Sequence, residues 1–333
     1  MTLKTILHTT LAAGALLAAA GPALGQDSYR IAYLASSSQN GYNQAIYAGI
    51  QKAAADLGNV EVEIFDGAFD STKQYSQVED LVAGGRFNAF IVTPNDTVGI
   101  APALEEATAA GITVASTLFP IGPELNNLEP QVPGLTTTVA ADPSKGAAAQ
   151  AEAVVDFCAD KDPCRVVVIV GQLIYPFDNL RNDTFKQVLG QHPNIQIVAT
   201  GEGNYDPDAS LTAMQDILQA NPEIDAVLSN ADQHLIGVEI ALADAGIDVP
   251  SVFLIGGGLN QITVDAIRAG SVDATLAEYP QSMGEAALGA VVQTLKGETA
   301  PTWIDPTTLG AAPTIVTKEW LDAHPDFVAE WQG

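Results

Sequence analysis

Short apolar runs alternate with amphipathic stretches along most of the chain. Tyr29–Ala35 is a run of strand formers, and Gln44–Leu57 then places Ile46, Ile50, Ala53, Ala54 and Leu57 on one helical face. Val60–Phe65 alternates as a strand, Ser71 caps a helix running to Gly85, and Ala89–Val92 reads as a buried strand. A helix over Gly99–Ala110, a strand over Val114–Thr117 and a strand over Leu135–Val139 follow, separated by an irregular, proline-bearing stretch from Phe119 to Gly134. Past Asp142 an alanine-rich helix ends near Ala159 and the alternation restarts. Its strands are predicted at Arg165–Val170, Ile195–Thr200, Ala226–Ser229, Val252–Ile255 and Ala274–Ala277. Helices fall between them at Asn179–Leu189, Ala209–Ala220, Gln233–Ala245 and Asn260–Ala269, and the chain closes with a helix over Ser282–Lys296 and a strand over Thr314–Val316. Strands alternating with helices predict an α/β fold, with parallel sheets covered on both faces. Two sets of such units predict two doubly wound, Rossmann-like domains, whose ligands bind beyond the carboxyl ends of the strands.

The first 25 residues break this pattern. Lys4 precedes a Leu/Ala/Gly run, and small residues stand at Ala23 and Gly25 before Gln26. This is the layout of a secretory signal cleaved near Gly25–Gln26, and the run is shorter than the roughly 20 residues of a membrane span. Residues 1–25 are therefore expected to be removed on export to the periplasm. The chain's two cysteines, Cys158 and Cys164, flank an Asp-Lys-Asp-Pro turn. In an oxidising compartment they are expected to form a disulfide between a helix end and the next strand; a free pair or a metal site is the alternative, but no histidine lies nearby.

Charge narrows the partners. Of 333 residues, 13 are Lys or Arg and 40 are Asp or Glu, a formal charge of −27, which argues against nucleic acid or an anionic membrane. A hydrophobic content of 47% with strong periodicity excludes disorder. There is no nucleophile elbow, no phosphate-binding loop, and only a partial glycine fingerprint at Gly256–Gly258. His192 and His324 precede prolines in turns, and only His234, beside Asp232, is near the expected cleft. No catalytic residues, metal or cofactor are expected.

Five segments carry a family likeness: IAYLASSSQNGYNQAIYAGIQKAAADLG, FIVTPNDTVGIAPALEEATAAGITV, LRNDTFKQVL, AVLSNADQHLIGVEIALADAGI and LAEYPQSMGEAALGAVVQTLKGE. In order and spacing they resemble the ribose-type periplasmic binding proteins of sugar ABC importers, which are related to the ligand-binding cores of lactose-type repressors. A secretion signal, and not a helix-turn-helix, precedes the first strand. The resemblance implies a type I periplasmic binding fold with three crossovers at a hinge. Residues 26–140 with 280–309 would form the first lobe, and 141–279 with 310–333 the second. It also implies a guest, a monosaccharide or other small polyhydroxylated molecule, held in the cleft as the lobes close and passed to a cognate ABC permease.

Carried over position by position, the resemblance places Ser36, Gln39, Asn40, Tyr42 and Asn43 at the cleft from the first loop, where amides and hydroxyls can pair with a polyol and Tyr42 can lie on a ring. Leu118 and Phe119 stand where the family has an acid–arginine pair. Gln172, Arg181, Tyr205, Asn230 and Asp232 follow from the second lobe, with Ala231 in place of an amide. Gly258 replaces a family acid, and Glu278 stands where a glutamine is usual. These departures imply a less charged pocket than a ribose site, open to a polyol, inositol, deoxysugar or furanone-like guest. A monomer is expected. Alternatives are a binding protein that presents its ligand to a chemoreceptor or sensor kinase, and a glycoside-acting enzyme using Asp232 and Glu278, for which the rest of a catalytic constellation is missing.

Overall fold

A computed structural model describes residues 28–333, so the secretory signal expected over residues 1–25 lies outside the described residues. The first sheet is built from β1 (Tyr29–Ala35), β2 (Val60–Asp66), β3 (Ala89–Val92), β4 (Thr113–Leu118), β5 (Leu135–Ala140) and a two-residue strand, β11 (Trp303–Ile304). The second contains β6 (Cys164–Val170), β7 (Ile195–Glu202), β8 (Ala226–Ser229), β9 (Phe253–Gly257), β10 (Ala274–Leu276) and β12 (Ile315–Thr317). Their orders, β2-β1-β3-β4-β5-β11 and β7-β6-β8-β9-β10-β12, are the same doubly wound arrangement used twice. All pairings are parallel except β12 with β10.

Both faces of each sheet are covered, which is why the central strands read as unbroken apolar runs. In β1, Ile31, Tyr33 and Ala35 face α1 (Gly41–Leu57) and α9 (Pro280–Leu295). Ala32 and Leu34 face α2 (Ser71–Gly84) and α3 (Ala101–Ala109). The second sheet does the same. Val167 and Ile169 face α6 (Pro207–Ala220), α7 (Asp232–Asp244) and α8 (Gln261–Ala269), while Val166, Val168 and Val170 face α4 (Pro143–Phe157) and α5 (Pro176–Leu189). Helices α1 and α9 approach closely because Gly49 and Gly284 sit at the contact; a Cβ at Gly284 would fall 2.1 Å from the carbonyl oxygen of Ile46.

The chain passes between the sheets three times: from β5 to α4, from β10 to α9, and between β11 and β12. Cys158, at the end of α4, is bonded to Cys164, the first residue of β6. After β12 and α10 (Lys318–Ala323) the chain returns towards the first sheet. Trp331 is buried in the core of the first lobe, edge-on to Tyr42 at 5.4 Å, while its indole Nε1 donates to the carbonyl of Gly258 in the second lobe at 2.8 Å. The tail thus spans both lobes, although residues 310–333 were assigned to the second alone by the resemblance.

Candidate functional site

The loops after β1 and β3 meet the loops after β6, β7 and β8 across a cleft, at the carboxyl ends of both sheets. Its front part is lined by Ser36, Asn40, Tyr42 and Asn43 from the loop and first turn of α1, and by Phe69 and Asn95 from neighbouring loops. Leu118 and Phe119 follow from the end of β4. Gln172, Tyr175, Phe177, Arg181, Tyr205 and Asn230 line the opposite wall, with Glu278 at the hinge. Behind this lies a hinge-side chamber of about 310 Å³, bounded by Leu128, Leu276, Met283 and Trp303, with Asp142, Lys145 and Asp305 at its edge. Tyr42, Leu118, Phe119, Arg181 and Glu278 border both spaces, so the two adjoin.

The first loop is held by its own polar groups. Asn40 caps α1, its Oδ1 accepting from the Asn43 backbone N–H at 3.2 Å. Asn43 Oδ1 accepts from the Ser36 N–H and the Tyr33 hydroxyl, and its Nδ2 donates to Asn40. These amides therefore shape the loop as well as lining the cavity. Gln39 is exposed, bonds to the neighbouring Ser38 and is not part of the lining.

On the opposite wall the organising group is Asp178, fully buried one turn before Arg181. It accepts from Arg181 Nη2 at 2.6 Å, the Tyr205 hydroxyl at 2.6 Å, Asn230 Nδ2 at 2.9 Å and the Gln172 N–H at 2.6 Å. Burial works against the Arg181 charge, but the Tyr205 oxygen and the Asp178 carboxylate more than offset it and hold the guanidinium protonated. The guanidinium lies 5.3 Å from the centroid of Phe119 and 5.5 Å from that of Phe177. Burial pushes the Tyr205 hydroxyl well above its usual pKa, so it stays a neutral donor.

Two expected site residues stand behind the wall instead. Asp232 is fully buried, accepting from Thr275 Oγ1 at 2.7 Å and the Asn260 N–H at 3.1 Å, and burial pushes its pKa up to about 7. Neither it nor Gly258 lines the cavity; Gly258 carries the Trp331 contact. Asp232 turns inward instead, bracing the β9–α8 loop through the Asn260 N–H. His234 also stands back. Its Nε2 accepts from the Tyr205 N–H at 2.9 Å, so Nδ1 carries the proton towards Ser229 Oγ, and burial lowers its pKa to about 3.

Three lining residues have a buried polar atom with no protein partner: Tyr42 Oη, Arg181 Nε and Asn230 Oδ1. Such groups are costly to bury unless something pairs with them, so a polar guest fits this wall. Glu278 is pushed up by burial, opposed by the Arg181 charge and by the Tyr42 hydroxyl that faces it without a hydrogen bond of good geometry. Phe69, Leu118 and Tyr205 enter the lining from left-handed backbone, with φ of 53°, 71° and 56°. For non-glycine residues such geometry is strained, and its concentration here is a mark of a working site.

The lobes touch one another at the rim. Tyr175 Oη donates to the Phe69 carbonyl at 2.9 Å, Phe69 stacks on Tyr205 at 5.7 Å, and Phe119 stacks on Phe177 at 4.1 Å. The structure is therefore a closed state. Phe69, Asn95, Tyr175, Phe177 and Asp178 were not singled out from the sequence. Of these only Asp178 carried a local signal, an acid three residues before an arginine on a helix.

Comparison with known proteins agrees with this geometry. Residues 31–299 match the periplasmic binding protein domain family. The chain is 29% identical over 272 residues to the ribose import binding protein RbsB of Bacillus subtilis, covering 81% of this chain and 83% of that one. It is 28% identical over 256 residues to the D-apiose import binding protein of Actinobacillus succinogenes, covering 77% and 78%. A crystal structure of a galactofuranose binding protein superposes with a TM-score of 0.78 at 21% identity, over 90% of this chain and 97% of that one. Two matching sheets, a hinge of three crossovers and a family match over most of the described chain lead to one assignment: the chain belongs to the periplasmic binding protein domain family.

Proposed function

We propose that the protein is the periplasmic substrate-binding component of an ABC importer, capturing a small polyhydroxylated molecule between its lobes and handing it unaltered to its permease. The observation that carries this reading is the set of unpartnered buried polar atoms, Tyr42 Oη, Arg181 Nε and Asn230 Oδ1, converging on one inter-lobe cavity. Relatives named for ribose and D-apiose import support the transport role. Aromatic faces flank the cavity, a combination that suits a molecule with apolar faces and hydroxyl edges. Binding needs no covalent step, only closure of one lobe on the other.

A thermal-shift screen of sugars, polyols and nucleosides tests this, since a ligand that binds only the folded protein raises its melting temperature. A hit should be recovered chemically unchanged after incubation. Conversion of the hit to product, or no stabilisation by any polyhydroxylated compound, would overturn the proposal.

A further inference from the structure

Glu278 is the one carboxylate at the junction of the cleft and the hinge chamber, bordering both. Among the described residues it makes no ion pair, because the nearby guanidinium of Arg181 is bound to Asp178. Around the two spaces stand four carboxylates, Asp142, Asp178, Glu278 and Asp305, against two basic side chains, Lys145 and Arg181. Each base is engaged by one of those acids, Lys145 by Asp142 and Arg181 by Asp178. Asp305 is engaged at a turn, where it accepts from the Thr307 N–H and hydroxyl. Glu278 is left without an ion-pair partner in a half-buried setting, which is unfavourable unless a cation or a proton joins it. Beside it, Tyr42 is 8% exposed and its hydroxyl has no partner. That places a hydroxyl and a carboxylate without an ion-pair partner side by side, at the border of both spaces. A guest hydroxyl can donate to the carboxylate but leaves its charge unmatched. A protonated amine satisfies the carboxylate by a charge-assisted hydrogen bond, while aromatic rings around it tolerate the positive charge.

From this juxtaposition we infer that the guest is a cationic amino-substituted sugar or polyol whose ammonium group is held by Glu278 at the hinge. The inference rests on the reading of the cleft as a ligand site, and it replaces the uncharged guest expected from the loss of the family's charged residues at Leu118, Phe119 and Gly258. The other side chains keep the roles described above, with the hydroxyl edges of the guest against Arg181, Asn230 and Asn40.

Calorimetry on matched pairs tests it: D-glucosamine against D-glucose, D-galactosamine against D-galactose, and 1-amino-1-deoxy-D-sorbitol against D-sorbitol, at neutral pH. In at least one pair the amine should bind tenfold or more tightly than its hydroxyl twin. In Glu278→Gln, checked for an unchanged melting temperature, that preference should fall to within threefold. Hydroxyl members binding as tightly as their amines, or a preference that survives Glu278→Gln, would overturn the inference while leaving the transport reading intact. Failure of both members of every pair to bind would overturn it together with that reading of the cleft.

Discussion

Tyr42 differs from the other polar residues of the cleft in having a hydroxyl without a protein hydrogen bond of good geometry. Asn43 and Asn40 hold their loop, and Arg181 neutralises Asp178, so Arg181→Ala would strand a buried carboxylate and confuse binding with stability. Tyr42→Phe avoids this. It should leave the melting temperature unchanged and weaken binding of the compound found by thermal screening by about 1 kcal/mol, roughly fivefold, measured by calorimetry. His234 offers a second test, on stability. Its folded pKa is lowered from 6.5 to about 3 by burial, so above pH 6.5 the neutral ring contributes its bond to the Tyr205 N–H in full. As pH falls from there towards 3 the unfolded chain takes up a proton that the folded protein refuses, and stability is lost. Melting temperatures across this range should fall less steeply in His234→Gln than in the parent.

Among the elements, strands and helices were legible because each buried strand is short, apolar and bounded by caps such as Asp142 and Asn260. The cap of α2 is Asp70, one residue before the Ser71 expected. Strand β11 was not legible: two residues have no period, and Trp303–Ile304 joins the sheet only through its partner β5. Much of the cavity lining was legible through the family likeness, which led to Asn40, Tyr42, Arg181, Tyr205 and Asn230. Phe69 and Tyr175 were missed because their place depends on left-handed backbone at one and on a neighbouring lobe at the other, and neither leaves a local trace. Asp232 was over-read, because a strand-end acid has the same sequence whether it turns outward to a guest or inward to Thr275. The Cys158–Cys164 bridge was legible from spacing and compartment. Replacing both cysteines by serine should lower unfolding free energy by about 2 kcal/mol in denaturant titration, the size set by closing so short a loop.

On the proposed reading, one lobe rotates about the three crossovers, and the contacts at the rim separate on opening. The Glu330–Ser282 hydrogen bonds lie beside the crossover from β10 to α9. Tyr175→Phe removes the cross-lobe hydrogen bond to Phe69 and should shift the balance towards the open form, enlarging the radius of gyration seen by small-angle scattering. A loss of about 1 kcal/mol of closing energy should weaken ligand affinity by roughly fivefold, although Tyr175 Oη is engaged by protein.

The aromatic rim has a kinetic consequence as well. Phe119 on Phe177 and Phe69 on Tyr205 join lip to lip, so a variant with a looser rim should exchange its cargo faster.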